Sequence, residues 1–145
     1  MEQITPQMFN GRTDARLVGI NYEVLPMAVN QNLNITNQDE IVISRVDDRG
    51  LSLEVTRKLV VTPRSLFEVK ATCFLRRSIG DNVQNIPSLK EIDIKAFVEK
   101  YKAELTNIGF INLSHILANI TSSFGGTPIL TPPAPTQTAV VSIKQ

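Results

Sequence analysis

Two side chains in this sequence could act together as a nucleophile and its base. Cys73 is the only thiol and His115 is the only histidine. A Cys–His pair needs both groups within hydrogen-bond reach and a third group that orients the base. However, Cys73 takes an inward position in a strand, where a thiol behaves as a small apolar side chain. His115 lies in an apolar helical stretch without a catalytic signature around it, so we predict no catalytic residue and no enzyme.

Three short motifs could bind an ion or a phosphate. Asp47-Asp48 offers two carboxylates, but it lies in a turn and the ligand spacing of a calcium-binding loop is missing. Gly125-Gly126 ends a predicted helix, where carbonyl groups project and a phosphate is disfavoured. Arg76-Arg77 is a two-residue basic spot, typical of a solvated surface. The sequence therefore predicts neither a metal nor a cofactor.

Composition limits the class of partner. The chain has 145 residues, of which 42% are hydrophobic and 20% charged, as in a globular domain. Its net charge is +1, and basic residues do not cluster with aromatic ones, so nucleic acid is not expected as a partner. A single cysteine suits a reducing compartment. Because a signal peptide and an apolar run of about 18 residues are both missing, we expect a cytoplasmic protein without membrane insertion.

Alternation of apolar and polar residues predicts four strands, most clearly in the third and fourth. There the apolar side chains share one face and the polar ones the other, interrupted only by Arg57, which is typical of an antiparallel hairpin. The polar segment Asn30–Glu40 is predicted to be a link that crosses over other elements. The predicted strands are Leu17–Leu25, Ile41–Val46, Leu51–Thr62 and Leu66–Arg77.

Two helices are predicted after the strands. Ser88 and Glu91 have the spacing of a capping box, and an amphipathic pattern then continues to about Asn107. Gly109 is interpreted as a break, and the second helix, Phe110 to about Phe124, is apolar around most of its circumference. The predicted fold class is α+β, a four-stranded antiparallel sheet followed by two helices packed on one face.

From Leu105 to Ile143 the chain contains no Asp, Glu, Lys or Arg. This stretch comprises the apolar helix and an extended, proline-rich segment, Thr127–Pro135. Apolar surface of this extent has to be covered by the sheet, a sister subunit or a ligand. It therefore favours three functions: a groove for extended peptides, a permanent subunit interface, or a small-molecule carrier.

In the order of its predicted elements and in its pattern of apolar and polar residues, the segment Leu17 to Pro133 resembles the SecB export chaperones. The features that carry the resemblance are the long hairpin and the segment Ile108–Pro133, in which an apolar helix ends in Ile-Thr-Ser-Ser-Phe-Gly-Gly-Thr-Pro. The resemblance implies a SecB-like domain, 1–135, with a C-terminal tail, 136–145. It also implies a homotetramer, built as a dimer of dimers, that holds unfolded or precursor polypeptides without ATP.

The resemblance further implies where clients and sister subunits bind. One wall of the client groove comes from the first strand and the crossover, and the other from the second helix and the loop after it. The first helix is implied at the subunit interface. The implied groove residues are Tyr22, Val24, Leu25, Met27, Leu33, Ile35, Ile116, Ile120, Phe124, Ile129 and Leu130, and the implied interface residues are Phe97, Val98, Tyr101 and Leu105.

Charge separates this chain from the SecB members that serve the SecA motor. Those members are strongly acidic and present carboxylates on the exposed sheet face. Here Glu54 and Glu68 share that face with Lys58, Lys70 and Arg76, which gives little steering to a basic partner. We therefore expect a holdase that serves either a SecA-type motor or one dedicated client, such as a toxin–antitoxin pair. The alternative is an interaction oligomer whose apolar surface is permanently filled by sister subunits.

Overall fold

The computed structural model describes residues 3–26, 33–63, 66–122 and 128–144. Within these residues the chain forms five strands and two α-helices, with short 3-10 turns at Pro6–Met8 and Leu89–Glu91. The strands are β1 (Thr13–Val24), β2 (Asn34–Val46), β3 (Gly50–Thr62), β4 (Phe67–Ser78) and β5 (Val140–Ile143), and the helices are α1 (Ile94–Lys100) and α2 (Lys102–Thr121).

The strands form one sheet in the order β1-β4-β3-β2-β5. The first four are antiparallel to their neighbours, whereas β5 runs parallel to β2. The predicted α+β class, with four antiparallel strands followed by two helices on the sheet, is confirmed. The fifth strand is an addition, because part of the predicted tail 136–145 pairs with the edge of β2.

β2 is longer than the sequence suggested. It begins at Asn34, so the prediction of a crossing link over Asn30–Glu40 is wrong from that residue onward. Ile35 pairs with Val61 and Asp39 pairs with Arg57, which gives the polar segment a complete partner strand. Strand propensity depends strongly on such tertiary context, and here pairing outweighs the low propensity of Asn and Asp.

The helix boundaries also differ from the prediction. Ser88 accepts a hydrogen bond from the Lys90 N–H (3.2 Å) but caps only the 3-10 turn, and Asp93 caps α1 by accepting from the Ala96 N–H (3.1 Å). The break between the helices falls at Tyr101 (φ −117°, ψ 35°), and Gly109 lies inside α2. The predicted break at Gly109 is therefore wrong.

The core lies between the helices and one face of the sheet. The apolar positions predicted to share a face in the third and fourth strands are all buried, and α2 covers them with one of its faces. The opposite face of α2 keeps Ile108 and Ile111 exposed, so this helix is not enclosed within the single chain. The buried residues of α2 are Leu105, Thr106, Gly109, Phe110, Leu113, Leu117 and Thr121.

Candidate functional site

Strand pairing brings predicted groove residues from β1 and β2 to one end of the sheet. Val24 pairs with Phe67, and Tyr22 pairs with Val69. On the other side of the hairpin Ile35 pairs with Val61. Directly paired residues share a face of a sheet, and Phe67, Val69 and Val61 are buried in the core. Tyr22, Val24 and Ile35 therefore lie on the face that the helices cover.

α2 extends toward the same end. Arg77, near the end of β4, donates to the carbonyls of Glu104 (3.1 Å) and Leu105 (2.9 Å) at the start of α2. Gly109 lies against Leu75, slightly further back along β4. α2 is therefore antiparallel to β4, and its last turns lie over the part of the sheet where β4 begins. Ile116 and Ile120 belong to these turns.

Hydrogen bonds to α2 hold the proline-rich segment at the same end of the sheet. The Ile129 N–H donates to Thr121 Oγ1 (2.9 Å), and Ser114 Oγ donates to the Thr131 carbonyl (2.7 Å). Both contacts hold the segment against the second half of α2. We call the surface that results the apolar end; its residues are Tyr22, Val24, Leu33, Ile35, Ile116, Ile120, Ile129 and Leu130.

The residues of the apolar end differ in how far their side chains are exposed to another molecule. Val24 is 65% exposed and Leu130 is 80% exposed, and Ile35 is also exposed. The less exposed part of the apolar end, its floor, packs against the core. It consists of the half-buried residues Tyr22, Leu33, Ile116, Ile120 and Ile129. Leu25 is half-buried beside them and donates its N–H to the Leu66 carbonyl (2.9 Å). Met27 and Phe124, also predicted to line the groove, lie outside the described residues.

The predicted interface residues of the helices lie largely inside this chain. Val98 and Leu105 are fully buried in its own core. Phe97 and Tyr101 are half-buried, with ring centroids 5.0 Å apart, and Phe97 lies 6.0 Å from Phe9. The apolar side chains exposed near the helices are instead Ile108 and Ile111 on α2 and Leu17 and Ile20 on β1.

Sequence reasoning missed a buried ion pair beside the apolar end. Arg57 and Asp39 are direct partners across β3 and β2, and both side chains are fully buried. Arg57 Nε and Nη2 donate to the two oxygens of Asp39, each at 2.8 Å, and the guanidinium lies 5.0 Å from the Phe110 ring centroid. The signal was the charged residue that interrupts an apolar alternation, because a buried arginine requires an anionic partner.

The same pair holds the proline-rich segment. Arg57 Nη1 donates to Thr131 Oγ1 (2.9 Å) and to the Pro132 carbonyl, and Nη2 donates to the Ala134 carbonyl (2.8 Å). Asp39 Oδ2 accepts from the Thr136 N–H (2.9 Å). Three of these four contacts are made to the main chain of the segment, so they do not depend on its side chains.

The residues considered first for chemistry are not brought together. Burial raises the pKa of the Cys73 thiol, which lies in the core, whereas His115 is exposed on α2. In the described part of the chain, no group of three His, Cys, Asp or Glu side chains could hold a metal ion. Among the described helices, none combines the length and apolarity that crossing a bilayer requires.

Known structures resemble this chain, although no protein-family model and no curated protein matches it. The Mycobacterium tuberculosis SecB-like chaperone Rv1957, solved in complex with a ChAD peptide from the Rv1956 HigA1 antitoxin, aligns with a TM-score of 0.62 at 11% identity. The alignment covers 88% of this chain and 94% of that one. This protein has a SecB-like fold. A Streptococcus agalactiae protein of unknown function aligns over 83% of this chain and 97% of its own, with a TM-score of 0.41 at 14% identity.

The outer face of this SecB-like sheet, away from the helices, carries charges of both signs. Lys58 lies directly opposite Lys70, and Glu23 lies opposite Glu68 in the adjoining row. A cavity of about 440 Å³ opens on this side, next to β2, and its lining includes Lys58, Lys70 and Glu40. The face therefore presents no continuous field of one sign to a charged partner.

Proposed function

We propose that this protein is a non-enzymatic, ATP-independent holdase that binds apolar segments of unfolded polypeptides at the apolar end. The observation that carries the proposal is the exposure of Val24, Ile35 and Leu130 around a half-buried apolar floor, on a SecB-like fold. Isolated exposed apolar residues are ordinary on protein surfaces. Several of them at one end of one sheet face, as Val24 and Ile35 are, favour a binding surface.

Strand β1 supports the same function. It forms one edge of the sheet over 12 residues, and within the described residues its outer side has no partner strand. An extended polypeptide can add to such an edge through main-chain hydrogen bonds, which gives affinity with little dependence on sequence. Val24 and Tyr22 belong to this strand, so an added segment reaches the apolar end directly.

Affinity would come mainly from apolar burial. Each Å² of apolar surface removed from water contributes roughly 25 cal/mol, and the ordering of a flexible client subtracts from this gain. A surface of a few exposed side chains therefore binds one short segment weakly. Several such surfaces on one oligomer, engaged by the same client, would bind it much more tightly.

We also propose that the chain assembles as a homotetramer. The support is the exposed apolar surface away from the apolar end, on the outer face of α2 (Ile108, Ile111) and on β1 (Leu17, Ile20). After Glu104, α2 has no charged residue, and a helix face of this kind is typical of a subunit contact. Phe97 and Tyr101 are half-buried and can extend that contact.

A dedicated client fits the charge distribution better than delivery to a SecA-type motor. The outer sheet face is mixed in sign, with Lys58 facing Lys70, and offers little attraction to a basic motor segment. The Mycobacterium tuberculosis relative in fold was solved with an antitoxin peptide. We therefore propose a single client or a small set of clients as the partner, with precursor polypeptides for export as the second choice.

A different function is supported by the exposure of Ile108, Ile111, Leu17 and Ile20. If sister subunits cover the apolar end as well, the protein is an interaction oligomer without a free groove. A fluorescent hydrophobic probe separates the two functions, because a free groove binds it in the native state and a filled interface does not.

Suppression of aggregation tests the proposal. A chemically unfolded, aggregation-prone protein is diluted into buffer that contains the full-length protein and no ATP, and light scattering is followed. We expect dose-dependent suppression that saturates near one client per oligomer. Unchanged scattering at several-fold excess would contradict the holdase function and favour the interaction oligomer.

A further inference from the structure

Arg57 and Asp39 bind their own chain by its main-chain groups. The carbonyls of Pro132 and Ala134 and the N–H of Thr136 are spaced two residues apart. In an extended chain, groups at this spacing lie along the same edge. Any extended polypeptide presents the same groups. Prolines at the two carbonyl positions are tolerated, since Arg57 and Asp39 together require only one main-chain N–H from the segment.

Few side chains are buried in and beyond the segment that contacts Arg57 and Asp39. Leu130, Pro132 and Pro133 are exposed, and in residues 128–144 the buried side chains are Thr131, Ala139 and Val141. The segment continues into β5, which has only four residues and pairs in parallel with β2. Parallel pairing is slightly less stable per residue than antiparallel pairing, and β5 is the shortest described strand, so we expect its pairing to open most readily.

The ion pair does not need the segment in order to stay paired. Arg57 and Asp39 keep both of their mutual hydrogen bonds if 131–136 leaves, because they are direct partners in the antiparallel pairing of β3 with β2, to which 131–136 does not contribute. Departure would free three guanidinium N–H groups and one carboxylate oxygen for another chain. A buried charge that keeps its partner avoids the larger cost of an uncompensated one.

We infer that Arg57 and Asp39 form a main-chain clamp, in which an extended, uncharged segment of the client exchanges with residues 131–136 of the protein itself. This inference rests on the proposed holdase function and names its binding mode. The occupant is a client segment because the clamp is continuous with the apolar end: the segment it holds now runs from Ile129, beside Thr121, to Thr136. The C-terminal segment then acts as a built-in competitor that covers the clamp until a client arrives.

Hydrogen exchange of the full-length protein tests the exchange of segments. The probe is a permanently unfolded protein, reduced and carboxymethylated lactalbumin, added in excess. We expect faster exchange at the Thr136 amide and at the amides of β5 and Lys144, whose N–H donates to the Ile43 carbonyl (2.9 Å) in the resting chain. Unchanged or slower exchange at these amides while the probe is bound would overturn the clamp.

Two matched variants test the competitor role. Val141 is 6% exposed and Val140 is 63% exposed, so Val141→Asp buries a charge and releases β5, whereas Val140→Asp places the same charge in water. Releasing a competitor raises the fraction of binding-competent molecules, and we expect Val141→Asp to bind the probe roughly three- to tenfold more tightly than wild type. Val140→Asp is expected to bind like wild type.

Failure of the clamp and failure of the holdase function give different results. If wild type binds the probe, but Val141→Asp and Val140→Asp bind it equally and exchange at Thr136 does not change, the clamp is wrong and the holdase stands. If neither wild type nor Val141→Asp binds the probe, the holdase function and the clamp both fail. Circular dichroism and urea unfolding of the two variants verify that each retains the fold.

Discussion

Gly109 of α2 lies directly against Val55 of β3. A β-carbon at residue 109 would be 2.6 Å from Val55 Cγ2 and 2.9 Å from Leu75 Cδ1, closer than non-bonded carbons approach. Val55 and Leu75 are fully buried, and a β-branched valine has little rotamer freedom with which to move away. The absence of a side chain at Gly109 therefore allows α2 to pack closely on the sheet, with its last turns over the apolar end.

Gly109→Ala should lower the free energy of unfolding by about 1–2 kcal/mol, because overpacking a dense core outweighs the gain in helix propensity of up to about 1 kcal/mol. Urea unfolding measures the change. Gly19→Ala is the control, since a β-carbon there meets nothing within 4 Å, and its effect should stay within about 0.5 kcal/mol. Equal stability of the two variants would contradict the packing role of Gly109.

This glycine illustrates why part of the fold was predictable and part was not. Strand alternation and helix periodicity depend on neighbours in sequence, so β3, β4 and the two-helix order could be predicted. A glycine inside a helical pattern has two meanings, a break or a close approach, and only the position of Val55 decides between them. The N-terminal half of β2 was missed for the same reason, because its strand character comes from pairing with β3.

The candidate site was predictable to a smaller extent. The register places Tyr22, Val24 and Ile35 at one end of one face, and their role in a client groove stays a prediction. β5 and the contacts of Arg57 could not be predicted, because they join residues far apart in sequence, such as Arg57 and Ala134. A lone arginine in an apolar alternation indicates a buried partner, but not which carboxylate it is.

Arg57→Met should destabilise the protein by about 3–5 kcal/mol, because it leaves Asp39 as an uncompensated buried charge. The double variant Asp39→Leu/Arg57→Met removes both charges and should be more stable than Arg57→Met alone. Arg12→Met is the control, since Arg12 pairs with Asp14 at an exposed site and such pairs contribute at most about 1 kcal/mol. A double variant no better than Arg57→Met would indicate that the contacts to 131–136, rather than the buried charge, determine stability.

The pair of Asp47 and Arg76 should contribute to acid sensitivity. The hydrogen bond from Arg76, and to a smaller extent that from Arg45, holds the pKa of Asp47 below its ordinary value of 3.8. A depressed pKa means that the ionised form stabilises the native state, fully above pH 3.8 and progressively less as pH falls through the lower, folded value. The difference in unfolding free energy between wild type and Asp47→Asn should therefore shrink below pH 3.8. A constant difference across that range would show that Asp47 acts without its charge.

Ile111→Lys should weaken assembly without unfolding the chain. Ile111 is exposed on the outer face of α2, and a lysine there would be buried unpaired in a subunit contact. If the chain forms the proposed homotetramer, light scattering coupled to gel filtration should then report a molar mass below that of the wild-type protein. Val140→Lys adds the same charge to an exposed position on β5 and should leave the mass unchanged. An unchanged molar mass of an oligomeric Ile111→Lys variant would assign the subunit contact to β1 instead.

Val24→Asp should reduce the proposed holdase activity several-fold while the fold and the oligomeric state remain intact. Val24 is 65% exposed at the apolar end and pairs with Phe67 on the helix-covered face, so an aspartate there places a charge against any apolar client segment. Val18→Asp is the matched control on the same strand, because Val18 is also exposed, by 50%. It lies six residues before Val24, at the register shift between Leu17 and Gly19, and therefore away from the apolar end. Both variants are compared by aggregation suppression, with molar mass and urea unfolding measured alongside. Loss of activity in Val18→Asp but not in Val24→Asp would move the client site from the apolar end to the middle of the β1 edge, where strand addition rather than apolar burial would carry recognition.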